Sequence, residues 1–303
     1  MKRGMPVIGR KGKVDICKGK PKILGISSGK RAAYDCARED PLSLWLLKIS
    51  LEEAKKSGAE TKLIDLRELK IGACKECYST CPAQCRFNEK KNQCDCYMWK
   101  EDHLFVKEKK PVPIEKAYDV LSKNEFFKRL HDEGWYAKGD DMWKVYEAMR
   151  WCDGVIFATA TNFYGRPALF QNMFSRFTAL DGGVEKLWGD GKNLKNSIRY
   201  AKNPKNRYKQ RLYNKHVAFI NCSKEGDSVT PNLMKACTMM GMKVIPLAVA
   251  YRVNWYGDPT HRADTPNTMK DEYSIDLAKH IGMKIVEEVS LSPRKYGLYT
   301  DAI

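Results

Sequence analysis

The stretch GVIFATATNFYGRPALFQNMFSRFTAL, residues 154–180, changes character twice. Residues 154–159 form a short apolar run rich in β-branched side chains, with none of the polar alternation of a half-exposed strand, so it reads as a strand covered on both faces. A polar and aromatic loop follows at Thr161, Asn162, Phe163, Tyr164 and Gly165, and residues 166–180 then carry a helical pattern. Strand, loop and helix in succession make one α/β unit. Working outward, the same kind of run recurs at 22–27 (KILGIS), 60–65 (ETKLID), 215–221 (KHVAFIN) and 242–249 (MKVIPLAV). Helical patterns alternate with these strands at 41–57, 140–151, 230–240 and 271–288. The first sets Leu44, Leu47, Leu51 and Ala54 on one stripe behind Pro41, and the second opens on Asp140 and Asp141, acids suited to a helix N-terminus. Five such units predict a doubly wound parallel sheet with helices on both faces.

Two segments exceed a minimal fold of this kind. Residues 72–139 hold six cysteines, and residues 189–214 form a basic loop whose only acid is Asp190. Both read as insertions in one domain spanning 22–303, preceded by a basic tail at 1–21. Of the formal net charge of +17, residues 1–22 supply +7 and residues 191–215 supply +9, which leaves the rest of the chain nearly neutral. The basicity therefore belongs to appendages, which argues against a generally basic nucleic-acid-binding fold. No apolar run is long enough to span a bilayer and no apolar signal core follows the N-terminus, so the expected location is cytoplasmic. Reduced thiols follow from that location, and clustered cysteines then read as metal ligands.

In a doubly wound sheet ligands bind beyond the C-terminal ends of the strands, where the strand order reverses. The loops placed there carry Ser27 and Ser28, Thr161 and Asn162, and Cys222 and Ser223. The first of these, with Gly29, Arg31 and Ser43, supplies the backbone amides, hydroxyls and positive charge that a phosphate needs at a strand-to-helix turn. The second offers backbone amides and Phe163 to flank a flat ring, and Ser223 and Gly226 mark the third.

These residues resemble the iron–sulfur flavoproteins and NADPH-dependent FMN reductases. The likeness rests on Ser28-Gly29-Lys30-Arg31 after the first strand, with Ser43 at the helix start, and on Asp140-Asp141-Met142. It continues through the gap-free run from Thr159 to Gly165 ending in Phe174-Ser175-Arg176, and through MMGMKV at 239–244. Lys30 stands where the family has proline, and Ala160 and Asn162 replace its proline and tyrosine. The resemblance implies a flavodoxin-like fold, bound FMN, an oxidoreductase or electron-transfer role and a homo-oligomer. An electron donor such as NAD(P)H or ferredoxin completes the expectation.

The cysteines run Cys74-x2-Cys77-x3-Cys81-x3-Cys85-x8-Cys94-x-Cys96. Four thiolates suit a 4Fe-4S cluster, and tetrahedral zinc is equally natural for such a set. The resemblance favours iron–sulfur, with Cys74, Cys77, Cys81 and Cys85 as first choice and Cys94 or Cys96 able to replace the fourth. Cys17, Cys36, Cys152, Cys222 and Cys237 are scattered and read as buried small hydrophobes, with Cys222 set apart by its place in a flavin loop. The competing reading is a binding module on the same scaffold, with structural zinc and basic arms for RNA or an acidic partner. Its support is the interleaving of Tyr200, Tyr208 and Tyr213 with nine cations in residues 191–215.

Overall fold

In the computed structural model, residues 19–28, 41–74, 87–88, 92–94, 97, 140–162, 164–181, 208–222, 227–252, 272–292 and 298–300 are described. The central strands are β1 (Lys22–Ser27), β2 (Glu60–Asp65), β3 (Gly154–Ala160), β4 (His216–Cys222) and β5 (Lys243–Arg252). They form one parallel sheet in the order β2-β1-β3-β4-β5. The helices between and after them are α1 (Leu42–Lys56), α2 (Met142–Trp151), α3 (Ala168–Ser175), α4 (Val229–Met239) and α5 (Glu272–Leu291). The chain moves outward from β1 to β2, then crosses back to β3 on the other side of β1, so the order reverses between β1 and β3.

Side-chain alternation along the strands sorts the core into two layers. Leu24, Ile26, Val155, Phe157, Val217 and Phe219 face α2, α3 and α4, while Ile23, Ile156, Ala158, Ala218 and Ile220 face α1 and α5. Phe157 centres the first layer, edge-on to Phe170 with ring centroids 5.7 Å apart and stacked on Phe219 at 6.3 Å. In the second layer α1 and α5 touch backbone to backbone. Ser50 Oγ donates to the Ala278 carbonyl at 2.6 Å, and a Cβ at Gly282 would lie 2.1 Å from the Ser50 oxygen. α1 ends cleanly: Gly58 takes φ +94°, and the N–H groups of Gly58 and Ala59 bond to Lys55 and Ala54 carbonyls at 3.0 and 3.1 Å. Glycine stands there because the left-handed region is costly for other residues.

Several details depart from the expectations. The strand at 60–65 is present but lies at the sheet edge, where Leu63 is 40% exposed, so it is not buried on both faces. A run of apolar and β-branched residues does not reveal whether a neighbour will cover it. The basic loop is not wholly irregular: Tyr208–Gln210 pairs antiparallel with Leu298–Thr300, and Leu212 is buried. Within the cysteine-rich segment Phe87–Asn88 and Gln93–Cys94 form a short hairpin. The helical pattern at 166–180 divides into α3 and a 3-10 turn at Arg176–Ala179. Against β4, β5 loses register between Val217 and Phe219, whose partners are Val244 and Val249.

Candidate functional site

Beyond the C-terminal ends of β1, β3 and β4 the described loops are joined by hydroxyls and amides. Ser27 and Ser28 are both fully buried. The Ser28 N–H donates to the Ala158 carbonyl at 3.0 Å and its Oγ to Thr159 Oγ1 at 2.8 Å, so the exit of β1 is tied to β3. Ser43 lies in the first turn of α1 and is buried. Among the described residues no side chain caps that helix, and its first turn holds no acid. Its leading N–H groups and the positive end of its dipole therefore remain suited to an anion.

After β3 the chain makes a tight turn in which Asn162 and Gly165 exchange backbone hydrogen bonds of 2.9 and 3.0 Å. Tyr164 sits in the turn at φ +60°, a left-handed conformation uncommon for a tyrosine, and is 66% exposed. Ser228 Oγ, from the start of α4, donates to the Tyr164 carbonyl at 2.7 Å. Thr161 N–H donates to the Cys222 carbonyl at 3.3 Å, so the turn after β3 leans on the end of β4. Gly29, Arg31, Phe163, Ser223 and Gly226 lie outside the described residues.

Two residues absent from the sequence expectations complete this arrangement. Asn221, fully buried, donates from Nδ2 to Thr161 Oγ1 at 3.0 Å and to Asp227 Oδ1 at 2.6 Å. Asp227 Oδ1 also accepts from the Thr230 N–H at 2.8 Å, fixing the first turn of α4. A signal was available: a polar Asn closing an otherwise apolar buried strand must find partners, and an Asp just before a helix is a natural one.

The cysteine-rich segment leaves and returns through a narrow neck. Asp140 Oδ2 accepts from the Gly72 N–H at 2.7 Å, and Asp141 Oδ2 accepts from the Lys70 N–H at 2.9 Å. The Lys70 bond and the neighbouring Lys144 hold the Asp141 carboxyl below its ordinary range. The two acids thus serve the strand exit as well as the helix start. Arg176, 2% exposed, closes the neck by pairing with Asp140 and donating to Gln93 Oε1 at 2.7 Å and Cys94 Sγ at 3.3 Å. Its guanidinium also stacks 3.6 Å from the Tyr97 ring. Burial opposes the charge on Arg176, but Cys94, Tyr146 and Asp140 outweigh it and raise its pKa overall.

Of the six clustered cysteines, Cys74 is half-buried and Cys94 is buried within 3.3 Å of Tyr146 Oη. Cys77, Cys81, Cys85 and Cys96 lie outside the described residues, and no group of three metal-ligating side chains occurs among the described ones. Cys152, Cys222 and Cys237 are buried, as expected of scattered cysteines. Burial pushes the Cys152 thiol up to about 11 and the Cys237 thiol up to about 12. Cys17 and Cys36 lie outside the described residues. No helix among the described residues is long and apolar enough to cross a membrane.

A parallel sheet in this order, with polar loops gathered where the order reverses, defines the flavodoxin-like class of α/β proteins. Residues 103–255, just over half of the chain, match the family of NADPH-dependent FMN reductases, and the chain belongs to that family. It is thus an FMN-dependent oxidoreductase for which NADPH is the implied electron donor. Among solved structures it is similar to RosB with the bound intermediate 8-demethyl-8-formylriboflavin-5'-phosphate, at 14% identity and a TM-score of 0.52, over 93% of this chain and 83% of that one. It is also similar to an azoreductase from Bacillus anthracis str. Sterne, at 12% identity and a TM-score of 0.40, over 88% of this chain and 99% of that one. At 14% identity the likeness to RosB concerns the fold. No curated protein matches the chain. The described residues fit FMN in their chemistry: a helix start that no described side chain caps suits the phosphate, and an exposed tyrosine beside backbone amides suits the ring.

Proposed function

We propose that FMN lies across the crevice at the β1/β3 reversal, with its phosphate at the loop of Ser27, Ser28, Gly29 and Arg31 and the first turn of α1 at Ser43. Its ring then meets the turn of Thr161, Asn162, Phe163, Tyr164 and Gly165, opposite the loop of Ser223 and Gly226. The observation that carries this reading is the joining of the β1, β3 and β4 exits through Ser28, Thr159, Thr161 and Cys222, in a chain of the FMN reductase family. Bound FMN supplies hydride acceptance from a nicotinamide and release of electrons singly or in pairs. The chain's own residues bind and orient it, and no nucleophile or general base is required of them.

The same proposal assigns the cysteine-rich segment a 4Fe-4S cluster on Cys74, Cys77, Cys81 and Cys85. The compact spacing and the resemblance to iron–sulfur flavoproteins support it. So does the hydrogen bonding of the Cys94 thiol by Arg176, which gives that residue a place in the neck instead. Anaerobic purification followed by flavin, iron, sulfide and zinc analysis tests both assignments. FMN uptake with NADPH-dependent bleaching, and iron and sulfide that vanish in Cys74→Ser/Cys77→Ser, are the expected results. A protein that takes up no FMN overturns the first assignment, and stoichiometric zinc without iron overturns the second.

A further inference from the structure

We infer that Asn221 is the positioning residue of the flavin-ring loops: its amide is the buried brace that sets the turn after β3 against the start of α4. The inference rests on the FMN reading above and adds to it a residue without which the two loops lose their common reference. Asn221 lies opposite Thr159 in the β3–β4 pairing, one residue before β4 ends. Its side chain is fully buried, and both N–H bonds of the amide are used, one on Thr161 Oγ1 at 3.0 Å and one on Asp227 Oδ1 at 2.6 Å. The orientation follows from chemistry. A carboxylate oxygen at 2.6 Å needs a donor, so the amide nitrogen faces Asp227, and the amide oxygen lies on the Thr161 side, 3.4 Å from its Oγ1.

Each partner belongs to a different wall of the crevice. Thr161 begins the turn in which Tyr164 is exposed, and Asp227 precedes the α4 helix whose first-turn N–H it accepts at 2.8 Å. Ser228, beside Asp227, reaches back to the Tyr164 carbonyl at 2.7 Å. Two independent bonds thus run from the α4 start to the β3 turn, one through the buried amide and one at the surface. The inner link contains a carboxylate, and a hydrogen bond to a charged group is the stronger kind. It also holds Thr161 Oγ1 as an acceptor, so the threonine's own proton points away from Nδ2 and towards Asn221 Oδ1, 3.4 Å away. The left-handed Tyr164 conformation is held from both sides by these bonds, as strained positions must be.

The test uses the full chain and substitutes each of the two partners in turn. Asn221→Asp removes both donors and sets a second carboxylate beside Asp227. The affinity for FMN, titrated at pH 8 and well below the melting temperature, should fall by about tenfold or more. Riboflavin, which lacks the phosphate, should lose the same factor, because the brace serves the ring side only. Asp227→Asn is the conservative control: Asp227 Oδ1 accepts from both the Asn221 amide and the Thr230 N–H, and the substituted side chain keeps one oxygen for both donors. Its FMN affinity should stay within about threefold of the parent, because the brace survives without the second carboxyl oxygen. A variant that is merely less stable melts earlier but still binds with parental affinity at low temperature, and that outcome overturns the inference. A loss in Asp227→Asn as large as that in Asn221→Asp overturns it as well. If the parent chain itself takes up no FMN, the underlying reading falls, and this is seen before any variant is made.

Discussion

The two ends of the central sheet differ in chemistry. At the C-terminal end the strand-to-strand joints are neutral, Ser28 to Thr159 and Asn221 to Thr161, with the Asp227 carboxylate set behind Asn221 at the start of α4. At the N-terminal end the joints are charged. Asp153 accepts from the Lys22 N–H at 2.8 Å, and the buried Lys215 ammonium caps α2 at the Cys152 carbonyl and, at 3.5 Å, the Arg150 carbonyl. His216 is buried beside them, 3.2 Å from Ser292 Oγ. The neck of the cysteine-rich segment follows the charged pattern, with Arg176 on Asp140. Fixed charges that bond only to the protein hold elements together, whereas hydroxyls and amides leave room for an anionic ligand to supply the charge. Stability and cofactor affinity should therefore respond to substitutions at opposite ends.

The neck should give the largest effect. Arg176→Met leaves the Asp140 carboxylate without its partner and should cost about 3–5 kcal/mol of unfolding free energy, read by urea denaturation. A loss under about 1 kcal/mol would break the analogy between neck and floor. Acid comes next. Burial, aided by Lys243, pushes His216 down to about 4, while Glu288 and Asp153 act in the opposite sense. The unfolded chain takes up its proton near pH 6.5 and the folded chain only near 4, so the stabilisation from His216 is complete above 6.5 and is lost as the pH falls through that window. The full loss is on the order of 3 kcal/mol, and His216→Gln should flatten stability against pH across this range.

Asp153→Ala should cost about 1–3 kcal/mol of stability by stranding the backbone N–H of Lys22, and leave FMN affinity unchanged in a fluorescence titration. Ser28→Ala should do the reverse. It should cost about 1 kcal/mol or less in stability yet weaken FMN by about tenfold, because the β1 exit then no longer follows β3. An equal response of both properties to both substitutions would erase the distinction between the ends.

How much of this was legible differs by element. β1 and β2 occupy the expected residues, and the other three strands begin or end within a few residues of their expected limits, because apolar runs bounded by polar turns carry that information locally. The edge exposure of Leu63 and the lost register of β5 do not appear in any run, since both depend on what the neighbouring strand does. The pairing of Tyr208–Gln210 with Leu298–Thr300 joins three-residue strands far apart in sequence, with no turn between them to announce it. That Ser28 and Thr161 sit at strand exits was recognisable from their loops. The brace through Asn221 and Asp227 was not, because hydrogen-bond partners across a sheet are set by register. In the same way, Asp140 and Arg176 both stood in recognised motifs, but only the fold shows that they belong to each other.

The contact between α1 and α5 has a consequence for synthesis on the ribosome. Ser50 and Ala278, bonded to each other, are 228 residues apart. At roughly 5–20 residues per second, α1 emerges tens of seconds before the helix that will cover it. During that interval Leu46, Leu47 and Leu51 have no α5 side chain to pack against, although β1 is already available to them. A pause in translation before residue 272 would lengthen the exposure of that stripe. Gly282 then lets the late helix settle directly onto a backbone that has been waiting for it.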